Sequence, residues 1–126
     1  MQLSLTSIIL FVHDVDLLKQ FYVKHFSFNI AEEIKGEWVL LNAGPATIGL
    51  HKVGAAFASA TNNSTQNNNC KLVFETTEYL QQLHTQLRQS NVFVKEIQTW
   101  EGYGYTVFDG EDAEGNVFQV KGKNNI

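Results

Sequence analysis

Residues 17–34 of this chain read LLKQFYVKHFSFNIAEEI, and residues 79–97 read YLQQLHTQLRQSNVFVKEI. Each stretch starts with apolar residues at helical spacing and ends in a run that is typical of a β-strand. The apolar helix positions are Leu17, Leu18, Phe21, Tyr22 and Phe26 in the first stretch and Leu80, Leu83 and Leu87 in the second. The shared order of helical and extended periods indicates an internal repeat.

The flanking sequence extends each stretch to the same set of elements. In the first half, strands are predicted over residues 3–12, 28–33, 38–41 and 47–53, with Asp14 as the helix N-cap. In the second half, strands are predicted over residues 70–75, 92–97, 103–108 and 117–121, with a helix over 77–89. We therefore expect an α+β fold of two β-α-β-β-β modules. An ordinary α+β domain with two unrelated halves is the alternative.

The modules are expected to form a single domain over residues 1–126, with module one at 1–53 and module two at 70–126. Residues 54–69, GAAFASATNNSTQNNN, have too little apolar surface to offset the entropy of ordering. We predict that this Asn-rich segment is a linker, or a lid in which Phe57 folds over a ligand.

Composition excludes several classes of partner. The chain has a formal net charge of -4, and its nine Lys and Arg residues are scattered, which argues against nucleic-acid binding. The N-terminal apolar run is too short to span a bilayer and lacks a cleavage site, so we expect a cytoplasmic protein that has no membrane partner. The single cysteine, Cys70, excludes an intrachain disulfide and is expected to be a small core residue that faces the helices.

Alternation along the strands predicts two different faces. The apolar set is Ile8, Leu10, Val12, Ile48, Leu50, Leu72, Phe74, Phe118 and Val120, and we expect the helices to pack on it. The opposite set is Ser7, Ile9, Phe11, Gly49, His51, Lys71, Val73, Glu75, Val117 and Gln119. Apolar walls with a few polar groups are typical of a ligand cavity.

Three features together resemble the vicinal-oxygen-chelate superfamily: the doubled β-α-β-β-β order, VHDVDLLKQFY with FSF after the helix, and the ending WEGYGYTVFDGEDAEGNVFQV. This superfamily includes glyoxalase I, extradiol dioxygenases, fosfomycin-resistance enzymes and bleomycin-binding resistance proteins. The resemblance implies a curved eight-stranded mixed sheet of two half-barrels, with the helices on its convex face. It also implies a ligand in the concave cavity and completion of the fold in a homodimer.

The resemblance further implies where metal-using relatives hold their ion, on the first and last strand of each module. These positions carry Ser7, Gly49, Lys71 and Gln119. None is a histidine or a carboxylate, so we expect neither a metal site nor another cofactor. A displaced site formed by His51, Glu75 and Gln119 is the alternative. The other histidines, His13, His25 and His84, are expected at the surface or hydrogen-bonded.

The candidate ligand-binding residues are Ser7, Phe11, Trp38, His51, Lys71, Glu75, Trp100, Tyr103, Tyr105 and Gln119. We expect no catalytic residue, because the sequence contains no nucleophile motif, although acid-base chemistry by Glu75 or His51 stays open. The predicted function is the sequestration of a small organic molecule without metal, as in bleomycin-binding resistance proteins. The alternatives are a glyoxalase-like or dioxygenase-like enzyme that uses His51, and a structural or regulatory partner domain with an empty cavity.

Overall fold

The structure is a computed structural model, and it describes residues 2–54 and 69–124. The chain divides into two compact units, Met1–Asn62 (unit one) and Asn63–Ile126 (unit two). The predicted linker or lid, including Phe57, lies outside the described residues except for Gly54 and Asn69.

Unit one contains one helix and a four-stranded mixed sheet. Its elements are β1 (Ser7–Val12), α1 (Val15–Phe26), β2 (Asn29–Ile34), β3 (Trp38–Ala43) and β4 (Ala46–Lys52). The strand order is β1-β4-β3-β2, in which β1 is parallel to β4 and the other two pairs are antiparallel. A bulge between Ile30 and Glu32 shifts the register of β2 against β3.

Unit two repeats this topology. Its elements are β5 (Lys71–Thr76), α2 (Leu80–Gln89), β6 (Gln98–Thr99), β7 (Tyr105–Glu111) and β8 (Val117–Lys123). The strand order is β5-β8-β7-β6, again with a parallel pair between the first and last strand. The described residues thus form two helices and eight strands in two mixed sheets. This confirms the predicted α+β class and the two β-α-β-β-β modules.

The first helix begins where the sequence predicts. The Asp14 side chain accepts a hydrogen bond from the Leu17 backbone N–H at 3.0 Å, which satisfies one N-terminal donor. The helix ends at Ser27, which adopts a left-handed φ of 59°. The prediction that Leu17 lies on the buried face is wrong, since it is 44% exposed and the buried stripe begins with Val15.

The second helix buries a histidine. Leu80, His84 and Leu87 face the core, while Leu83 is only half-buried. The His84 ring nitrogen Nε2 donates to the Lys95 carbonyl at 2.8 Å, so this buried polar group is satisfied. The expectation of a hydrogen-bonded histidine is therefore confirmed for His84.

Two predicted strands differ markedly from the observed ones in the part of the chain that precedes or lacks regular pairing. Strand β1 starts at Ser7 rather than at residue 3, and Leu3 and Leu5 before it are exposed. The strand predicted over 92–97 is wrong, since only Val94 makes a bridge there, to Gly110, and the regular strand β6 covers Gln98–Thr99. The Lys95 carbonyl is bonded to His84, which diverts this stretch from regular pairing with β7.

The predicted alternation of faces is observed in both sheets except at Ile8, which was expected under the helices but is 37% exposed on the edge strand β1. Val12, Ile48 and Leu50 are buried in unit one, and Leu72, Phe118 and Val120 are buried in unit two. On the opposite side, Phe11 is 69% exposed and Val73 is 52% exposed. We call the side that carries Phe11, Trp38, Gly49 and His51 the open face of unit one. The side that carries Lys71, Glu75, Asp109 and Gln119 is the open face of unit two.

Cys70 is exposed, so the prediction of a buried core cysteine is wrong. It precedes the first paired residue of β5, Lys71, and therefore lies outside the strand alternation. Within residues 2–54 and 69–124, neither helix is long and apolar enough to cross a membrane.

Candidate functional site

Three rings meet on the open face of unit one. Strand pairing sets Phe11 and Trp38 on either side of His51, each in direct register with it. The Phe11 and His51 ring centroids are 5.5 Å apart at 63°, and those of Trp38 and His51 are 5.9 Å apart at 65°. Such edge-on packing is a favourable arrangement of aromatic rings. We call these three residues the aromatic cluster.

The indole of Trp38 lies directly on the backbone of Gly49. A Cβ atom at Gly49 would lie 2.8 Å from Trp38 Cζ3 and 3.1 Å from the Ile9 side chain, so the close approach requires a glycine. The indole Nε1 donates to the Glu32 carboxylate at 3.3 Å. Trp38 therefore fills the space in which a side chain from position 49 would project.

The hydrogen bond of His51 selects one form of its ring. Nδ1 lies 2.8 Å from the Lys52 carbonyl oxygen, which can only accept. In the neutral ring Nδ1 therefore carries the proton, and Nε2 is the acceptor nitrogen.

Ser7 lies on the same face of the sheet but outside the aromatic cluster. It pairs in register with Thr47, four positions before the pair formed by Phe11 and His51. The Ser7 hydroxyl accepts a hydrogen bond from Thr47 Oγ1 at 2.8 Å. The structure thus brings Phe11, Trp38 and His51 together and leaves Ser7 in a separate polar pair.

A carboxylate organises the open face of unit two. Lys71 Nζ donates to Asp109 Oδ2 at 2.9 Å, and Gln119 Nε2 donates to Asp109 Oδ1 at 3.0 Å. Partial burial acts to raise the pKa of Asp109, but the hydrogen bonds from Lys71 and Gln119 and the charges of Lys71 and Lys95 together lower it. Asp109 is therefore held as a carboxylate whose two oxygens are both engaged.

The remaining predicted residues of unit two form a second group. Tyr103 contacts Trp100 at a centroid distance of 5.6 Å and Tyr105 at 5.4 Å. Lys121 Nζ lies 4.6 Å from the Tyr105 ring centroid and 3.9 Å from the Glu75 carboxylate. The structure therefore joins Trp100, Tyr103 and Tyr105 in a row of rings, and the Lys121 ammonium lies between Tyr105 and Glu75.

Sequence reasoning missed three residues of these faces, namely Glu32, Asp109 and Lys121. The predicted strand 103–108 ends one residue before Asp109, because an Asp-Gly pair usually marks a turn. In the structure β7 continues through this pair to Glu111. Extending the alternation from Gln119 across the β7–β8 pair would have identified Asp109, because the two residues are in register.

The residues present do not fit a metal centre. Of the positions that the resemblance implies, Gly49 has no side chain, Lys71 is a cation and Gln119 offers its amide hydrogen to Asp109. In the displaced set, Glu75 lies beside the Lys121 ammonium. Among residues 2–54 and 69–124, no group of three or more His, Cys, Asp or Glu side chains could hold a metal ion.

A separate cavity of about 460 Å³ lies beside the first turn of α2 in unit two. It is lined by Glu78, Tyr79, Leu80, Gln81, Ile97, Thr106, Gly122, Lys123 and Asn124. None of the ten predicted ligand-binding residues is among them.

No protein-family model and no curated protein matches the chain. Several solved structures share its fold. A protein from the mobile metagenome of V. Pseudocholerae is 24% identical with a TM-score of 0.74, covering 99% of this chain and 98% of the other. The lactoylglutathione lyase of Agrobacterium tumefaciens is 16% identical with a TM-score of 0.72, covering 94% of this chain and 92% of the other. The genomically encoded fosfomycin resistance protein FosX of Listeria monocytogenes is 11% identical with a TM-score of 0.78, covering 98% of this chain and 96% of the other.

These similarities establish the fold of the chain, which is the vicinal-oxygen-chelate fold. The fold neighbours include proteins of the glyoxalase and fosfomycin-resistance type.

Proposed function

We propose that the protein binds a small organic molecule at its open faces and sequesters it without a metal ion, in the manner of bleomycin-binding resistance proteins. The main observation behind this proposal is that the positions expected to carry metal ligands in relatives of this fold hold residues that do not fit a metal centre. In unit one the Trp38 indole covers Gly49, and in unit two Lys71 pairs with Asp109.

The electrostatics of unit two support a metal-free site. A divalent cation placed about 4 Å from the Lys71 ammonium would be repelled by roughly 2 kcal/mol in water and roughly 8 kcal/mol at an effective dielectric constant of 20. The Asp109 carboxylate, which could offset this repulsion, is already bonded to Lys71 and Gln119. A metal ion would have to displace this network before it could bind.

The side chains of the open faces are suited to an organic guest. The aromatic cluster of unit one offers rings against which apolar or planar groups can pack, and Trp100 and Tyr103 in unit two are half exposed. Neighbouring donors and acceptors, such as the amide of Gln119 and Nε2 of His51, would orient polar substituents. This combination supports the binding of a small organic molecule.

Metal analysis and ligand screening test the proposal directly. Purified protein is equilibrated with Zn, Ni, Mn and Fe salts, desalted and examined by elemental analysis, and we expect far less than one ion per chain. A thermal-shift screen of aromatic and amine-containing compounds should yield a stabilising ligand, because a ligand that prefers the folded state raises its stability.

The metalloenzyme alternative makes the opposite prediction. If His51 belongs to a displaced metal site, the protein retains stoichiometric metal that a His51→Ala variant loses. The exposed His13 provides the matched control, because His13→Ala should leave metal content unchanged in either case. Stoichiometric metal in the wild type would refute the proposed function. A screen without any stabiliser would favour a structural or regulatory role.

We also propose that the chain forms a cytoplasmic homodimer. Exposed apolar side chains ahead of β1, Leu3 at 91% and Leu5 at 84%, support association with a second copy. Sedimentation velocity across a hundredfold range of protein concentration would detect the dimer, and a constant monomer mass would refute it.

A further inference from the structure

We propose that the aromatic cluster of unit one binds an organic cation of the alkylammonium type, with Glu32 as its counter-charge. The inference rests on the proposed function and adds to it the chemical class of the guest. Three observations support it: the aromatic rings, the charge of the open face of unit one, and a comparison with unit two.

The rings provide the attraction. Aromatic faces carry negative electrostatic potential, and tryptophan attracts ammonium groups most strongly among the aromatic side chains. The Trp38 N–H donates to the Glu32 carboxylate at 3.3 Å, which increases the electron density of the indole. Phe11 is 69% exposed and lies edge-on to His51, which also contacts Trp38. The Phe11 ring is therefore accessible beside the imidazole and the indole.

The negative charge on the open face of unit one favours a cationic guest. Lys52 is the only Lys or Arg in the four strands of unit one, and it pairs in register with Val12. Val12 is fully buried on the helix side of the sheet, so strand alternation assigns Lys52 to that side as well. Glu33 also belongs to the helix side, where it pairs with Lys19. Glu32 therefore supplies negative charge to the open face, and the strands of that face supply no fixed cation.

Unit two shows a lysine ammonium held between an aromatic ring and a carboxylate. Lys121 Nζ lies over the Tyr105 ring at 4.6 Å and beside the Glu75 carboxylate at 3.9 Å. In the repeated topology Lys121 occupies on β8 the place that His51 occupies on β4. Each of these two residues pairs in register with the first strand of its sheet, Lys121 with Glu75 and His51 with Phe11. In unit one that strand position holds His51 instead of a lysine, so the rings and Glu32 receive no ammonium from it, and an external ammonium would supply the positive charge.

The test uses choline and its neutral carbon isostere, 3,3-dimethylbutan-1-ol, with sodium chloride added to keep the ionic strength constant. The chain has two tryptophans, so a Trp100→Phe variant leaves the indole N–H of Trp38 as a single NMR reporter. We expect choline to shift this signal saturably and to bind about tenfold more tightly than the alcohol.

Two glutamate variants distinguish the specific effect of Glu32 on choline binding from the general effect of surface charge. Glu32→Gln should weaken choline binding by about threefold to tenfold, because it removes the negative charge beside the indole. Glu33→Gln is the matched control, since Glu33 pairs with Lys19 away from the cluster, and it should leave the affinity unchanged. Equal affinity for the two probes, no saturable shift with choline, or full affinity in Glu32→Gln would overturn the inference.

These outcomes are distinguishable from failure of the proposed function. If a neutral or anionic compound stabilises the metal-free protein while choline does not bind, only the cation assignment is wrong. Stoichiometric metal refutes the proposed function whatever choline does.

Discussion

The contact between Trp38 and Gly49 predicts the effect of a single methyl group. In Gly49→Ala, the new Cβ would lie 2.8 Å from Trp38 Cζ3 and 3.1 Å from Ile9 Cγ1. Because carbon atoms pack best at about 3.5–4.0 Å, the indole must move by roughly 1 Å or more. That movement breaks its hydrogen bond to Glu32 and its packing on His51.

The size of the effect follows from these losses. The aromatic contact contributes about 0.5–1.5 kcal/mol and the exposed hydrogen bond about 0.5–1 kcal/mol, whereas replacing a strand glycine by alanine gains about 0.5–1 kcal/mol. We therefore expect Gly49→Ala to lower the free energy of unfolding by about 1 kcal/mol.

Gly122→Ala is the matched control, because a Cβ at that strand glycine meets Leu80 and Thr76 at an ordinary 3.5 Å. It should raise the free energy of unfolding by about 0.5 kcal/mol. Both variants are made in the Trp100→Phe background and unfolded in urea, with circular dichroism as the probe. The Trp38 fluorescence maximum should move to longer wavelength only in Gly49→Ala. If the two variants have the same stability and the emission does not move, the indole does not lie on Gly49.

Three further predictions concern unit two. Gly110→Ala should lower the free energy of unfolding by about 2–3 kcal/mol. The added Cβ would lie 2.5 Å from the buried Phe118 ring and 2.8 Å from the Phe93 carbonyl oxygen. A urea midpoint equal to that of the wild type would contradict this prediction. Asp112→Ala should destabilise by about 2–3 kcal/mol in the same assay, because Asp112 Oδ1 accepts the backbone N–H groups of Glu114 and Asn116. The pKa of Asp109 is lowered in the folded state, so over the range between its two pKa values the folded protein binds fewer protons than the unfolded chain. The wild type should therefore be more stable than Asp109→Asn above pH 3.8, the ordinary aspartate pKa. This difference in stability should decline as the pH falls below that value. Parallel pH profiles of the two proteins would argue against the network.

The sequence predicted the fold well where local chemistry and periodicity agree. Asp14 fixed the start of α1, and the turn before β8 uses Gly115 with a φ of 84°. The alternation of the central strands separated the buried residues from the others except at Gly49, which is buried beneath Trp38. The stretch around Lys95 was predicted wrongly, because its carbonyl bonds to His84, and such a long-range contact leaves no local signal.

The open faces were predictable in part. Strand alternation predicted the position of His51, whereas Trp38 was expected only on a strand that flanks the cavity, and the β3–β4 register brings the two together. The roles of Glu32 and Asp109 depend on a bulge in β2 and on a strand that continues through an Asp-Gly pair. Neither irregularity can be read from residue periodicity, since both are settled by pairing with a neighbouring strand.

The bulged strand β2 has a consequence for solubility. It lies at the end of its sheet, and all six of its residues are exposed. Another polypeptide can pair with an exposed edge strand of this kind, and such pairing can start aggregation. Charged residues and bulges on the edge strand hinder this pairing. The charge of Glu32 would oppose such pairing, and if the same carboxylate holds an ammonium guest, one substitution there would change both ligand affinity and the tendency to aggregate.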